Sequence, residues 1–402
     1  MKKVFVIIAG IAIILLGSNA FAQGTPQNDN LAGQSKNYIP TGMPIITIAP
    51  DAVSAALGDA GVASEPDAYS AHWNNAKFAF ADPNFGISTT YTPWLRKVGV
   101  SDMNLLYLGA YKKLNKRSTL AASLLFFSLG EIQSTDIEGN DQELLNPNEF
   151  TIDVTYSMKI AKRLALGATV RYLRSDLTNG MEINDGSGYT TTSAANAIAA
   201  DVGLYYENTV DAKQEFAIGA FFSNLGSKFR YSEDDTQTEF LPANLRIGGR
   251  YSYNIDDYNK FNVLLDFNKL LVPTPPTEGE NGHKYYENMV DYHQTGVMQG
   301  VWQSFFDAPG GFREEMQEIQ FSLGAEYWYN NLLAARAGYF FEHANKGGRQ
   351  YATVGVGVKY SFFQLDFAYL IPTTKFSTNP LSNTMRISLT VNIGNNKNKN
   401  RK

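Results

Sequence analysis

Strict alternation of apolar and polar side chains, repeated in segment after segment, constrains this chain more than any other feature. Between Arg386 and Ile393 every second residue is aliphatic. Leu164 to Tyr172 sends Leu164, Leu166, Ala168, Val170 and Tyr172 one way, and Ala165, Gly167, Thr169 and Arg171 the other. Gln320 to Tyr329 repeats the pattern. Successive side chains of a strand face opposite sides, so each segment has two unlike faces. The apolar faces carry Leu, Val, Ile, Phe and Tyr, and the polar faces carry Gly and small polar groups. This is the signature of a barrel with lipid outside and a polar lumen inside.

Fourteen such segments are expected to be strands, over 84–95, 102–113, 117–130, 148–160, 163–175, 196–208, 214–227, 243–254, 260–271, 317–329, 332–342, 350–360, 363–371 and 384–393. Most reach the ~9–11 residues that a tilted strand needs to cross a bilayer. Their connections alternate in length. Leu114 to Lys116, Ala161-Lys162, Thr209 to Lys213, Ile255 to Asn259, Asn330-Asn331 and Ser361-Phe362 are short. The stretches 131–147, 176–195, 228–242, 272–316 and 372–382 are long, and 96–101 and 343–349 are moderate. Short periplasmic turns alternating with long outer loops give an all-β fold: a 14-stranded antiparallel transmembrane β-barrel over 84–394. Arg171, Glu326, Lys359, Asp366 and Arg386 lie on polar faces and are expected to pair inside the lumen.

The N-terminus reads as a secretory signal peptide over 1–22: Lys2-Lys3, an apolar run from Val4 to Leu16, and Ala20-Phe21-Ala22 as the cleavage site. Together with the barrel it implies the outer membrane of a Gram-negative bacterium. The sequence has no cysteine, which excludes disulfides and thiolate chemistry. Aromatic residues make up 13%, with 23 Tyr and 25 Phe, which suits interfacial girdles. A net charge of −5 over 402 residues argues against a nucleic-acid role. The basic tail 395–402 is expected to be a frayed periplasmic end.

Residues 23–40 read as a flexible lead, whereas 41–83 have a different character. Asp51 is placed to cap a short helix from Ala52 to Leu57. Gly58-Asp59-Ala60-Gly61 follows as a tight turn, and then comes Trp73-Asn74-Asn75-Ala76. Small residues permit close backbone approach, so 41–83 is expected to be a plug or hatch folded into the lumen, built around Asp51, Gly58, Asp59, Gly61, Trp73, Asn74 and Asn75. A periplasmic extension is the alternative.

The string from Ile48-Ala49-Pro50-Asp51 through Gly58-Asp59-Ala60-Gly61-Val62-Ala63 to His72-Trp73-Asn74-Asn75-Ala76-Lys77 resembles the N-terminal signature of the PorV family. Ser223-Asn224-Leu225-Gly226 is a second shared feature. That family supplies the outer-membrane component of the type IX secretion system and belongs to the wider FadL-like fourteen-stranded barrels. The resemblance implies a non-enzymatic protein that binds the C-terminal sorting domains of secreted cargo and the large translocon barrel. It then passes cargo to the surface attachment complex with its sortase-like component. Outer-membrane lipid would surround it, and no cofactor is implied.

No constellation suggests chemistry. His283 and His293 share a loop with Glu278, Glu280, Glu287 and Asp291, where an ordinary solvated loop is the simpler reading than a bound cation. Asp67, Ser70 and His72 are close in sequence but lack a nucleophile elbow. The loop 272–316 holds the strongest candidate for function. It leaves the membrane through Val272-Pro273-Thr274-Pro275-Pro276 and carries Tyr285, Tyr286, Tyr292, Trp302, Phe305, Phe306 and Phe312, with a short amphipathic helix expected over 298–306. Long loops with aromatic anchors suit a protein interface; folding back over the lumen is the alternative. A competing function is FadL-like transport of hydrophobic small molecules; Gly248-Gly249 or Gly355 and Gly357 would be compatible with a lateral gap and equally with close barrel packing. A lipid-modifying enzyme lacks any nucleophile–base pair.

Overall fold

The computed structural model describes residues 37–94, 102–135, 141–177, 182–184, 189–191, 193–231, 238–276, 291–373 and 384–395. The signal-like segment, most of the lead and nearly all of the basic tail lie outside these residues. All fourteen expected strands form: β1 (Pro83–Pro93), β2 (Asn104–Lys113), β3 (Ser118–Ser128), β4 (Asn148–Lys159), β5 (Leu164–Asp176), β6 (Ala195–Thr209), β7 (Gln214–Gly226), β8 (Asn244–Asn254), β9 (Asn259–Leu270), β10 (Gln320–Tyr329), β11 (Leu333–Phe341), β12 (Gln350–Tyr360), β13 (Phe363–Pro372) and β14 (Met385–Asn395). Neighbours pair antiparallel, and β14 returns to β1 from Pro83↔Asn395 to Tyr91↔Ile387, closing the barrel. β10 begins later than expected because Phe312–Gln317 is helical.

The alternation sorts by face. Leu108, Ile152, Val154, Val170, Ile198 and Val356 point outward and are exposed. Thr90, Thr155, Asp201, Asn262 and Arg386 point inward and are buried. A continuous belt of exposed aliphatic residues is intolerable in water and is what a bilayer requires. Among the described residues no helix is long and apolar enough to span a membrane. Inward charges pair as buried charges must. Arg171 Nε meets Asp153 Oδ1 at 2.7 Å and its Nη2 meets Asp201 Oδ2 at 3.1 Å. Arg336 bridges Glu326 at 2.6 Å and Asp366 at 2.8 Å. Arg386 differs, donating from Nε to the Ala49 carbonyl at 3.0 Å. Lys359 is half-buried at its strand end.

The short turns have local causes. Asn115 Oδ1 accepts from the N–H groups of Arg117 (2.8 Å) and Ser118 (3.0 Å), and Asp211 and Asp256 repeat this bond pattern in their own turns. Side-chain oxygens of Asx residues bond the backbone two and three residues on, which fixes such turns. Asn330 and Asn331 both take positive φ (54° and 51°), the conformation a two-residue hairpin needs. At the opposite end, three long loops carry two-stranded ribbons: 132–135 with 141–145, 182–184 with 189–191, and 229–230 with 238–239.

Of the glycines compatible with either a lateral gap or close packing, Gly248 and Gly355 take the second role. The ladders run unbroken through Gly248, Gly249, Gly355 and Gly357. A Cβ on Gly248 would sit 1.9 Å from Asp266 Oδ1, and one on Gly355 would sit 2.4 Å from Ala56 Cβ. Both make room for groups inside the barrel. The barrel's register shift falls between Ala200 and Val202 opposite β7, where Asn224 adopts φ 60°.

Candidate functional site

Two regions hold the residues singled out by sequence: the N-terminal segment 37–81 and the outer loop between β9 and β10. The N-terminal segment is mostly buried against inward-facing strand residues. Its helices, Ala52–Ala56 and Ser70–Trp73, are too short to persist alone, so tertiary contacts hold them. Asp51 caps the first, accepting from Ser54 N–H at 2.7 Å, while its other oxygen accepts from Trp73 Nε1 at 2.6 Å. Trp73 lies against the Arg246 guanidinium, 4.8 Å from the ring centre.

The wall holds this segment through polar contacts. Gly61 and Val62 donate their N–H groups to Asp266 Oδ2 at 2.7 and 2.9 Å. Gly58 donates to Thr353 Oγ1 at 2.9 Å, and the Tyr351 hydroxyl donates to Asp59 Oδ2 at 2.6 Å. Asn74 Nδ2 donates to the Leu204 carbonyl at 3.0 Å, and Asn75 Nδ2 to Thr169 Oγ1 at 2.9 Å. Gly58 has φ 68°, and a Cβ there would meet the Tyr339 backbone at 2.5 Å. On the wall, Cβ atoms on Gly167 and Gly203 would approach Asn75 Oδ1 to 2.4 and 2.3 Å. Asn74 and Asn75 therefore sit in a seat that only glycine leaves open.

The remaining chemical candidates dissolve on inspection. Ser70 Oγ donates to Asp67 Oδ1 at 3.1 Å, but His72 Nε2 is buried without a partner, so the three form no relay. His293 Nδ1 faces the Thr238 carbonyl at 3.0 Å, and its own carbonyl accepts from Lys228 Nζ at 2.7 Å. His283, Glu278, Glu280 and Glu287 lie outside the described residues, among which no cluster could hold a metal.

The outer loop divides its aromatic residues. Tyr292 is buried with Phe240 and Val272, with Ile39 of the N-terminal segment packed alongside. Burial lowers the pKa of Lys228, which lies 3.8 Å from the Phe240 ring centre, to about 8, against the opposing pull of Glu239. Burial also raises the pKa of the Asp307 carboxyl, whose Oδ2 accepts from Thr274 N–H at 3.1 Å. The helix Val297–Gln303 places Val301, with Phe305 just beyond it, against Ala243, Leu271, Leu225 and Leu245. Phe222, Leu245 and Lys269 form one rung across β7, β8 and β9, and Phe222 is exposed on the outward face. Val301 and Phe305 thus rest on the outer side of the rim. Lys269 on the same rung pairs with Glu315 at 3.1 Å and with Glu318, fixing the helix Phe312–Gln317 and the chain just beyond it beside them.

Large apolar side chains are left uncovered, among exposed polar neighbours such as Gln299, Gln303 and Arg313. Trp302 is 70%, Phe306 87% and Phe312 81% exposed, with Met298 and Met316 exposed as well. Sequence reasoning located the helix but missed the two methionines and the side it packs on. The signal was the four-residue spacing, which puts Val301 and Phe305 on one stripe and Met298, Trp302 and Phe306 on another. Tyr285 and Tyr286 lie outside the described residues.

The family model described as "Type IX secretion system protein PorV" matches residues 31–277. No curated protein sequence matches the chain. Solved structures similar to it include the Ralstonia pickettii toluene transporter TbuX, 13% identical, covering 85% of this chain and 98% of that one with a TM-score of 0.49. The P. putida toluene transporter TodX is 10% identical, covers 86% and 98%, and also scores 0.49. A Pseudomonas aeruginosa FadL homologue is 11% identical, covers 88% and 99%, and scores 0.44.

Proposed function

The chain belongs to the PorV family and is an outer-membrane barrel component of the type IX secretion system; from that premise we propose that it acts by holding other proteins rather than by catalysis. Its partners are the C-terminal sorting domains of cargo, the translocon barrel, and the attachment complex with its sortase-like component. The observation that carries this reading is the uncovered face of Trp302, Phe306 and Phe312, flanked by Met298 and Met316. Large aromatic residues dominate binding energy at protein interfaces, and exposed apolar patches of this kind mark interaction sites. Tyr285 and Tyr286 belong to the same loop in sequence, while Tyr292 and Phe305 are packed against the rim.

The N-terminal segment serves as the plug, with Asp51, Gly58, Asp59, Gly61, Trp73, Asn74 and Asn75 as its structural residues. Transport of hydrophobic small molecules would need a path through the space this segment fills. The test is a gentle detergent pull-down of the tagged W302A/F306A/F312A variant beside the unaltered protein. Recovery of a translocon barrel or of cargo sorting domains is expected to fall about tenfold or more. The barrel's own yield should hold, because the three side chains pack against little. Unchanged recovery would refute the assignment.

A further inference from the structure

One sector of the periplasmic end carries a concentration of positive charge that the secretion reading does not use. The turns β2–β3 and β4–β5 are adjacent, tied by Lys159 N–H donating to the Arg117 carbonyl at 2.8 Å. They bring together Lys116, Arg117, Lys162 and Arg163, all exposed. Lys113 and Lys159 join them from the strand ends, each on the inward-facing phase of its strand: Lys113 follows buried Tyr111, and Lys159 follows buried Ser157. Lys159 Nζ stands 4.1 Å from the ring centre of Phe80, at the foot of the N-terminal segment. None of the six makes an ion pair among the described residues, although Asp82 attracts Lys113 and Lys159 and Glu207 attracts Lys159 through space; Arg171, Arg250 and Arg336 inside the barrel are all paired. A cleft of about 510 Å³, lined by Asn84, Phe85, Lys112, Lys113, Leu114, Asn115 and Lys116, opens within the sector.

The rest of this end is different. The other described turns carry Asp211 with Lys213, Asp256 beside Asp257, Asn330-Asn331 and Ser361-Phe362, and of the lysines at their strand ends Lys260 pairs with Glu65 and Lys359 stands alone among the described residues. Every strand of a barrel meets lipid headgroups, so cations serving the inner leaflet would be spread around the whole rim. These are gathered on one side, and two of them face the mouth of the barrel. Four like charges held together in two exposed turns without ion pairs create a focused potential that attracts and orients an acidic surface. The geometry points to this sector as a dock for an acidic segment of a soluble periplasmic protein, seated on Lys116, Arg117, Lys162 and Arg163 with the cleft beside it. This goes beyond the outer-loop reading and stands or falls independently of it.

The test uses the full chain in phosphatidylcholine nanodiscs and a fluorescent poly-glutamate peptide as probe, followed by anisotropy. Binding is expected to saturate, to weaken as salt rises, and to fall about tenfold or more in K116E/R117E/K162E/R163E. Because all four changes lie in exposed turns, heat-modifiable mobility on gels should confirm a folded barrel. D256K/D257K, in the opposite sector, should leave the affinity unchanged. Equal affinity for the charge-reversed and unaltered proteins overturns the proposal. In cells, a photo-crosslinking residue at position 114, exposed on the cleft, should give a discrete adduct through an acidic segment, lost in the charge-reversed variant. The same residue at position 257 should give none. No adduct at 114, or one indifferent to charge reversal, refutes the dock.

Discussion

Asp266 offers the sharpest test of how the N-terminal segment is held. It lies on β9 facing inward, and its Oδ2 takes the N–H groups of both Gly61 and Val62, at 2.7 and 2.9 Å. Asp266→Ala leaves two buried backbone donors without an acceptor. Each such orphan costs about 1–3 kcal/mol, so the segment's attachment should weaken by about 2–6 kcal/mol. Asp266→Asn keeps an amide oxygen that can accept both bonds and loses only the charge assistance, a cost of about 1 kcal/mol. Hydrogen exchange of the peptide 58–66 in nanodiscs reads the difference directly, because exchange there follows local opening. With tenfold per ~1.4 kcal/mol, Asp266→Ala should speed exchange at least ~30-fold and Asp266→Asn about fivefold. The strands β9 and β10 should exchange as before. If the alanine variant stayed within threefold of the unaltered protein, or if both variants behaved alike, these two hydrogen bonds would not be what secures the segment.

Other consequences can be checked separately. Arg171→Ala strands Asp153 and Asp201 as buried unpaired carboxylates; a loss of about 3–5 kcal/mol should appear as a lower temperature for the mobility shift of the folded barrel, with Arg171→Lys falling between. Gly338→Ala would place a Cβ 2.1 Å from Gly58 N and Leu57 C, costing about 1–3 kcal/mol and loosening residues 52–58 in the same exchange experiment. Asn331→Val, at φ 51°, should cost about 1–2 kcal/mol and slow folding into liposomes, whereas Asn331→Gly should not. Removing residues 41–81 should turn a barrel silent in planar bilayers into a conducting one; silence in both would argue that the strands' own side chains close the lumen.

Much of this protein was legible along the chain because the information is local. A period of two, Asx residues two or three positions before a strand, and loops sorted by parity follow from backbone geometry and from the need of a bilayer for a closed sheet. Leu164 to Tyr172 could be divided into an outer and an inner face without knowing any neighbour. Asp51 as a cap was equally local, since its first acceptor bond closes within three residues.

Contacts distant in sequence were decided only by the tertiary structure. Nothing in the sequence ties Gly61 to Asp266, 205 positions away, or empties the wall at Gly167 and Gly203 so that Asn74 and Asn75 can enter. Gly248 and Gly355 suited a gap or close packing equally by sequence, and only the fold shows that they accommodate Asp266 and Ala56. The loop helix was readable from its spacing, but whether it covered the lumen or lay on the outer rim depended on which face of Leu245 it met. Alternation specifies the two faces of a strand; closure of the barrel decides what each face meets.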